Sequence, residues 1–89
     1  MKYVLFYEPK EGVAEKARLH FAAHCEKWGV FQAAGTLLMV GPFTDGSGAI
    51  GVFTTREAAE EFAKTDPFVL NGVVTDWSIR EWNEAIYRP

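Results

Sequence analysis

The hydrophobic residues follow two different periods along the chain, and each change of period marks a new element. Residues 2–8 are mostly β-branched and aromatic and end at Glu8-Pro9, which predicts a first strand. From about residue 13 to 34, larger side chains recur three or four residues apart, which predicts a helix with one buried stripe. The stripe contains Ala17, Phe21, His24, Trp28 and Phe31. Gly35 is placed where a glycine commonly ends a helix.

The middle of the chain predicts a hairpin. Residues 36–43 form a continuous apolar run, and residues 44–48 read Thr-Asp-Gly-Ser-Gly, a composition typical of a turn. Residues 49–53 then supply the returning strand. We therefore expect these two strands to be antiparallel neighbours.

The last third of the chain predicts a second helix and a final strand. Thr54, with Glu57 three residues later, fits a capping box at the start of a helix that ends near Lys64. Asp66 precedes a proline and fits the N-cap of a further short helical turn. Residues 73–82 alternate in polarity and carry Val, Thr, Trp and Ile, as a strand does.

The predicted order of elements is βαββαβ. This order is that of the ferredoxin-like α+β fold, in which a four-stranded antiparallel sheet carries two helices on one face. A chain of 89 residues is shorter than most domains, so we expect one domain, residues 1–89, with a thin core. Hydrophobic residues make up 48% and charged residues 24%, values that exclude a disordered chain.

Two helices can cover only one face of this sheet, whereas the strands are apolar on both faces. Residues 3–6 and 37–40 are apolar throughout, and the last strand is expected to place Trp77 and Ile79 on one face and Val74 and Trp82 on the other. Such an exposed apolar face is larger than monomers usually carry, so we expect a homodimer that packs sheet to sheet. The alternative is a monomer whose open face is capped by the C-terminal tail or binds an apolar ligand.

The charge of the chain excludes several classes of partner. The net charge is −3, and the nine Lys and Arg residues are scattered, so neither nucleic acid nor an anionic membrane surface is an expected partner. No apolar run approaches the ~20 residues that span a bilayer. The apolar stretch at the N-terminus ends at Glu8, too early for a signal peptide. The single cysteine, Cys25, favours a cytoplasmic protein without disulfides.

His24 is the best candidate for chemistry because it is the only ionisable residue on the stripe of the first helix. It is either a neutral core histidine with one hydrogen-bond partner or a proton-transfer group oriented by a carboxylate. Asp66, Asp76 and Asp45 are the candidate carboxylates. If Asp66 caps a helical turn, its second oxygen can still pair with a histidine.

Other candidate groups carry weaker signals. His20 and His24 have a metal-ligand spacing on a helix, but no Glu follows His20 as in zinc peptidases, so no metal or cofactor is expected. Cys25 lies about 100° around the helix from His24, which favours a small buried residue over a catalytic thiol. Arg80 could bind an anionic substrate, although an exposed position at the sheet edge is the simpler interpretation.

The spacing of these residues resembles that of the YCII-related, or YciI-like, proteins along nearly the whole chain. His24 stands eleven residues before Gly35 and seventeen before the Gly41-Pro42 pair, as the helix histidine of that family does. Residues 65–73, Thr-Asp-Pro-Phe-Val-Leu-Asn-Gly-Val, are similar to the family's Ala-Asp-Pro-Phe/Tyr-Val-x-x-Gly segment. One feature differs, because many members have an arginine where this chain has Phe21.

The resemblance implies a ferredoxin-like fold that dimerises as an α/β barrel, with His24 and Asp66 as a pair in an active-site pocket. It also implies small-molecule chemistry, since a few members dehydrochlorinate chlorinated hydroquinones and similar folds include muconolactone isomerase and small monooxygenases. The leading hypothesis is a metal-free isomerase or lyase acting on a cyclic or aromatic substrate, with His24 as general acid or base and Asp66 orienting it. The alternative is a dimeric module that binds a small ligand without turning it over.

Overall fold

Four strands and three helices make up the computed structural model, which describes residues 1–88. In chain order they are β1 (Lys2–Pro9), α1 (Ala14–Ala33), β2 (Leu37–Pro42), β3 (Ala49–Phe53), α2 (Arg56–Thr65), α3 (Pro67–Leu70) and β4 (Val74–Trp82). The strands form one antiparallel sheet in the order β2-β3-β1-β4. The predicted ferredoxin-like fold is therefore confirmed, with α3 as a short extra helix between α2 and β4.

Strand β1 lies inside the sheet, and its alternating side chains serve two different surfaces. Leu5 and Tyr7 belong to the core between the sheet and the helices, where Phe53 and Phe62 are almost completely buried. Val4 and Phe6 point to the opposite face, because successive residues of a strand face opposite sides. The helices thus cover one face of the sheet, and the core lies between the two layers.

The face that the helices leave open is apolar along β3 and the middle of β1. Val4 pairs with Val52, and Phe6 pairs with Ile50, across neighbouring strands of this face. Met39 and Trp82 extend the same surface and are 55% and 47% exposed. No helix among residues 1–88 combines the length and the apolar character that a membrane span requires.

The C-terminal tail is attached at one end of this open face. The carboxylate of Glu84 lies 2.7 Å from the ammonium of Lys2 and 2.8 Å from the terminal ammonium of Met1. These two cations lower the pKa of Glu84 to about 2. The ring of Tyr87 lies under the Lys2 ammonium, at 4.6 Å. Because Met39 and Trp82 stay exposed, the tail does not cap the whole open face.

Two details of the sequence interpretation were wrong. The N-cap of α2 is Thr55, whose hydroxyl accepts a hydrogen bond from the Ala58 amide, so the helix starts one residue later than the Thr54 capping box predicts. Val74 lies in the core and not on the open face, because the register shifts between Glu8 and Pro9 where β1 pairs with β4. Such a bulge moves the following side chain to the other face, which alternation alone does not reveal.

The end of α1 is fixed by Gly35. Its φ of 80° lies in the left-handed region, and its amide donates to the Gln32 carbonyl while the Thr36 amide donates to the Phe31 carbonyl. These two bonds form a Schellman motif, which turns the chain from the helix into β2. Only glycine adopts this backbone conformation without steric cost.

Replacing Gly35 with alanine should therefore destabilise the fold. We expect Gly35→Ala to lower the free energy of unfolding by about 1–2 kcal/mol, because a Cβ is unfavourable at positive φ. Gly29→Ala is the matched control, since Gly29 lies inside α1 with open space around it and should gain about 0.5–1 kcal/mol. Urea denaturation measures both values, and equal effects of the two substitutions would contradict the assignment.

Candidate functional site

His24 and Asp66 are in direct contact. The Nδ1 atom of His24 lies 2.7 Å from Oδ1 of Asp66. The Asp66 side chain is completely buried, and the His24 side chain is 8% exposed. Helix α1 contributes the histidine, and the junction between α2 and α3 contributes the aspartate. Two residues that are 42 positions apart in the sequence thus form one buried polar pair.

Asp66 has three hydrogen-bond partners. Oδ1 accepts from the backbone amide of Phe68 at 3.2 Å and lies against Nδ1 of His24, and Oδ2 accepts from the hydroxyl of Tyr7 at 2.7 Å. The bond from Phe68 is the N-cap of α3, so the predicted capping role is present together with the pairing to histidine. Both oxygens act as acceptors, which is the arrangement of an ionised carboxylate.

Tyr7 holds its proton. Burial, the hydrogen bond to Asp66 and the negative charge of Asp66 all raise the pKa of the Tyr7 hydroxyl above its ordinary range. The phenol is therefore the donor in its bond with Asp66. An ionised Asp66 also requires that Nδ1 of His24 carries a hydrogen and donates it. In the neutral ring, the lone pair is then on Nε2.

Aromatic rings surround the imidazole. The ring of Phe68 is stacked on it, with centroids 3.8 Å apart and planes 7° apart. The indole of Trp28 meets it edge-on at 5.1 Å, and the rings of Phe21 and Phe62 lie at 6.4 and 6.3 Å. Asp66 binds Nδ1 of the imidazole, and the ring of Phe68, two residues later in the chain, covers one of its faces. These two contacts together fix the orientation of the imidazole.

A pocket of about 290 Å³ opens beside His24, between α1 and the sheet. Its walls are made of apolar side chains and glycine backbone, and His24 and Tyr7 are the titratable residues in its lining. Phe21, Trp28 and Phe68 line the pocket near the histidine, and Val40 and Ala49 line it from the sheet. The hydroxyl of Tyr7 is already bonded to Asp66, so Nε2 of His24 is the side-chain group available for proton transfer there.

Close packing of the backbone shapes the far wall of the pocket. A Cβ at Gly48 would collide with the carbonyl oxygen of Tyr7, and a Cβ at Gly51 would lie 3.0 Å from the ring of Phe53. Both glycines belong to the pocket lining. Their small size therefore lets β3 and the turn before it lie against β1 and leaves room for a ligand.

The other candidate residues lie away from this pair. Asp45 is exposed and accepts from the Ser47 amide in the turn between β2 and β3, and Asp76 is exposed on β4. Arg80 lies on the open face of the sheet, with its guanidinium 6.0 Å from the Phe6 ring centroid. His20 is half-buried, and residues 1–88 contain no cluster of three potential metal ligands.

Cys25 is half-buried and not fully buried as expected. Burial and the negative charge of Asp66 raise the pKa of its thiol. A raised pKa disfavours the thiolate, which is the nucleophilic form.

Tyr7 is the site residue that the sequence did not single out. In the sequence it is one of several aromatic residues of the first strand, and alternation predicts only which face it shares with Leu5. Its contact with Asp66 joins residues 59 positions apart and depends on how α3 lies over the sheet. The buried end of a tyrosine usually finds a polar partner, but the sequence does not show which one.

The family of this chain is shown by comparison with the sequence profiles of known families. The sequence profile of the YCII-related domain matches residues 1–83. The chain belongs to the YCII-related domain family. No curated protein sequence matches the chain.

Solved structures show the same fold in other proteins. This YCII-related chain superposes with a TM-score of 0.79 on 5-chloro-2-hydroxyhydroquinone dehydrochlorinase, TftG, from Burkholderia phenoliruptrix AC1100, in complex with 2,5-dihydroxybenzoquinone. The two chains are 17% identical, and the match covers 96% of each. At this identity the likeness shows the fold.

Two further structures are more distant. A variant of MhuD with two manganese protoporphyrin IX molecules per active site gives a TM-score of 0.54 at 15% identity, covering 99% of this YCII-related chain and 97% of that chain. Rv0793 from Mycobacterium tuberculosis gives 0.51 at 12% identity, covering 96% and 97%. The ferredoxin-like fold is therefore shared by proteins with different ligands.

Removing the Asp66 carboxylate should weaken the fold strongly. We expect Asp66→Ala to lower the free energy of unfolding by about 3–5 kcal/mol, because His24 and Tyr7 lose a buried partner and α3 loses its cap. Asp76→Ala is the control, since an exposed carboxylate should contribute less than about 0.5 kcal/mol. Urea unfolding followed by tryptophan fluorescence measures both. A loss below about 1 kcal/mol for Asp66→Ala would contradict the network.

Proposed function

We propose that this protein is a small-molecule enzyme in which Nε2 of His24 transfers a proton and Asp66 orients the imidazole. The observation that carries the proposal is the 2.7 Å contact between Nδ1 and Asp66, made by a histidine that lines an apolar pocket. An imidazole bound through Nδ1 to a carboxylate has the tautomer that presents a basic Nε2. Asp66 stabilises the imidazolium that forms when Nε2 accepts a proton.

The proposed chemistry is isomerisation or elimination. Nε2 removes a proton from the substrate, and the electron pair left behind either moves within the substrate or expels a leaving group as an anion. In an isomerisation the imidazolium returns the proton to another atom, and in an elimination it releases the proton to solvent. Either reaction leaves His24 neutral at the end of the cycle.

The pocket favours a neutral, compact ligand. A cavity of roughly 150 Å³ accommodates benzene, so a pocket of about 290 Å³ has room for a substituted six-membered ring. The lining contains no Lys or Arg. A carboxylate or phosphate on the ligand would therefore lose its hydration without gaining an ion pair.

The comparisons support this class of substrate. The TftG structure holds 2,5-dihydroxybenzoquinone, a single six-membered ring that carries oxygen atoms. By analogy, we propose a cyclic or aromatic molecule with an acidic O–H or C–H group for this chain. The analogy rests on a shared fold and not on sequence identity.

His24→Ala should slow turnover strongly, at some cost in stability because the buried Asp66 carboxylate loses a hydrogen-bond partner. We expect kcat to fall by about 10²–10⁴-fold, the usual contribution of a general acid or base, on a substrate found by screening substituted hydroquinones and cyclohexenones. His20→Ala is the matched control, because His20 lies one turn earlier on α1 and outside the pocket lining. Circular dichroism checks that both variants are folded.

Two results would contradict the proton-transfer role. Folded His24→Ala with unchanged turnover would remove His24 from the reaction. The second contradicting result is a ring compound that binds tightly to the wild-type protein without being converted. That result would favour the ligand-binding module. The almost entirely apolar lining of the pocket is the feature that suits such a module.

We further propose that the protein forms a homodimer through the open face of the sheet. Phe6 and Ile50 are partly exposed there, Met39 and Trp82 are about half exposed, and Val4 and Val52 are buried beside them. Glu84 of the C-terminal tail is bound to Lys2, and Met39 and Trp82 stay exposed beyond it. A second copy provides an equally apolar partner and a symmetric, self-complementary interface.

A charge on the open face should separate the two copies. We expect Met39→Glu to convert the dimer into a monomer at micromolar concentration, because the carboxylate would be buried without a partner. Leu19→Glu is the control, since Leu19 is 77% exposed on α1 and outside the proposed interface. Sedimentation velocity distinguishes the species. A wild-type protein that sediments as a monomer of 10.0 kDa would contradict the dimer.

A further inference from the structure

We propose that Tyr7 is a positioning residue that lowers the affinity of the His24–Asp66 pair for a proton. The proposal deepens the proposed proton-transfer function and rests on it. It follows from the contact of the Tyr7 hydroxyl with Oδ2 of Asp66, the oxygen that His24 does not use. Tyr7 thus acts on the reaction through Asp66.

The geometry makes the three residues a single chain of hydrogen bonds. Oδ1 of Asp66 is shared by His24 and the Phe68 amide, and Oδ2 accepts from Tyr7. Tyr7 belongs to an inner strand, where its backbone is opposite Ala49 on one side and Trp77 on the other. Its hydroxyl therefore fixes the rotation of the Asp66 carboxylate relative to the sheet, and the carboxylate fixes the imidazole.

The hydroxyl also sets how strongly the pair holds a proton. A donor to Oδ2 withdraws negative charge from the carboxylate. When the pair takes up a proton, it changes from a net charge of −1 to zero, whichever residue carries that proton. Tyr7 stabilises the form with the negative charge, so it lowers the proton affinity of the pair. A lower proton affinity favours the form in which Nε2 can accept a proton from the substrate.

Few other titratable groups face the pair. Cys25 follows His24 on α1 and is a further titratable group near Asp66. The raised pKa of its thiol leaves it neutral. The elements packed around the imidazole contribute Phe21, Trp28, Phe62 and Phe68, which do not titrate. A change in the titration of His24 after substitution of Tyr7 is therefore attributable to the hydroxyl.

Tyr7→Phe is the direct test. We expect the midpoint of the His24 titration, followed by NMR of the imidazole C–H signals, to move upward by about one pH unit. The acid limb of the kcat/KM profile should move by the same amount. Tyr3→Phe is the matched control, because Tyr3 is on the same face of β1 and its hydroxyl makes no hydrogen bond within residues 1–88. An unchanged midpoint in folded Tyr7→Phe would overturn the proposal.

A second variant strengthens the hydrogen bond from Tyr7 to Asp66 and keeps the aromatic ring in place. The chain has three tyrosines, so in a Tyr3→Phe, Tyr87→Phe background Tyr7 is the only one and can be replaced by 3-fluorotyrosine through biosynthetic labelling. The fluorinated phenol is more acidic and donates more strongly, so the midpoint of the His24 titration should move downward. If Tyr7 had only a structural role, fluorination would not move the midpoint of the His24 titration downward. That result would overturn the proposal even if Tyr7→Phe does not fold.

The titration separates this proposal from the enzymatic one. The imidazole signals report the Tyr7 effect without any substrate, whereas turnover by His24→Ala tests the reaction. Opposite shifts for the two Tyr7 variants establish the coupling, even if no substrate is found. If His24→Ala retains turnover, the proposed function fails and Tyr7 no longer positions a catalytic group.

Discussion

The structure of the site depends on one constraint, which is that the carboxylate of Asp66 is completely buried. An ionised carboxylate without water requires several hydrogen bonds, and a charge removed from water is costly unless it is paired. Strand β1, helix α1 and helix α3 each supply one donor, through Tyr7, His24 and the Phe68 amide. The carboxylate therefore connects elements from both layers, and their relative positions are set by the need to satisfy its oxygens.

The same arrangement explains why the pocket has so little polar surface. The donors around Asp66 are directed towards the carboxylate, which leaves Nε2 of His24 as the basic side-chain group in the pocket lining. Phe68 covers one face of the imidazole by stacking, and the indole of Trp28 meets the imidazole edge-on.

The sequence predicted the strands and the two longer helices in their order along the chain, because hydrophobic periods and turn residues are local signals. Gly35 and the Asp66 cap were also predictable, since each depends on a few neighbouring residues. The position of Val74 was not, because it depends on a bulge between strands that are distant in sequence. Pairing of His24 with Asp66 was expected from the resemblance to the YCII-related family, whereas the contact of Tyr7 requires the three-dimensional packing of α3 on the sheet.

Strand β1 has a further consequence for how this fold can change. Tyr7 and Leu5 belong to the pocket side, and Val4 and Phe6 belong to the open face, so two different surfaces are interleaved along four residues. A substitution at one position alters one surface and spares the other. Insertion or deletion of a single residue in this strand exchanges the two surfaces, because it turns every following side chain over. The length of β1 is thus constrained more strongly than the identity of its apolar residues.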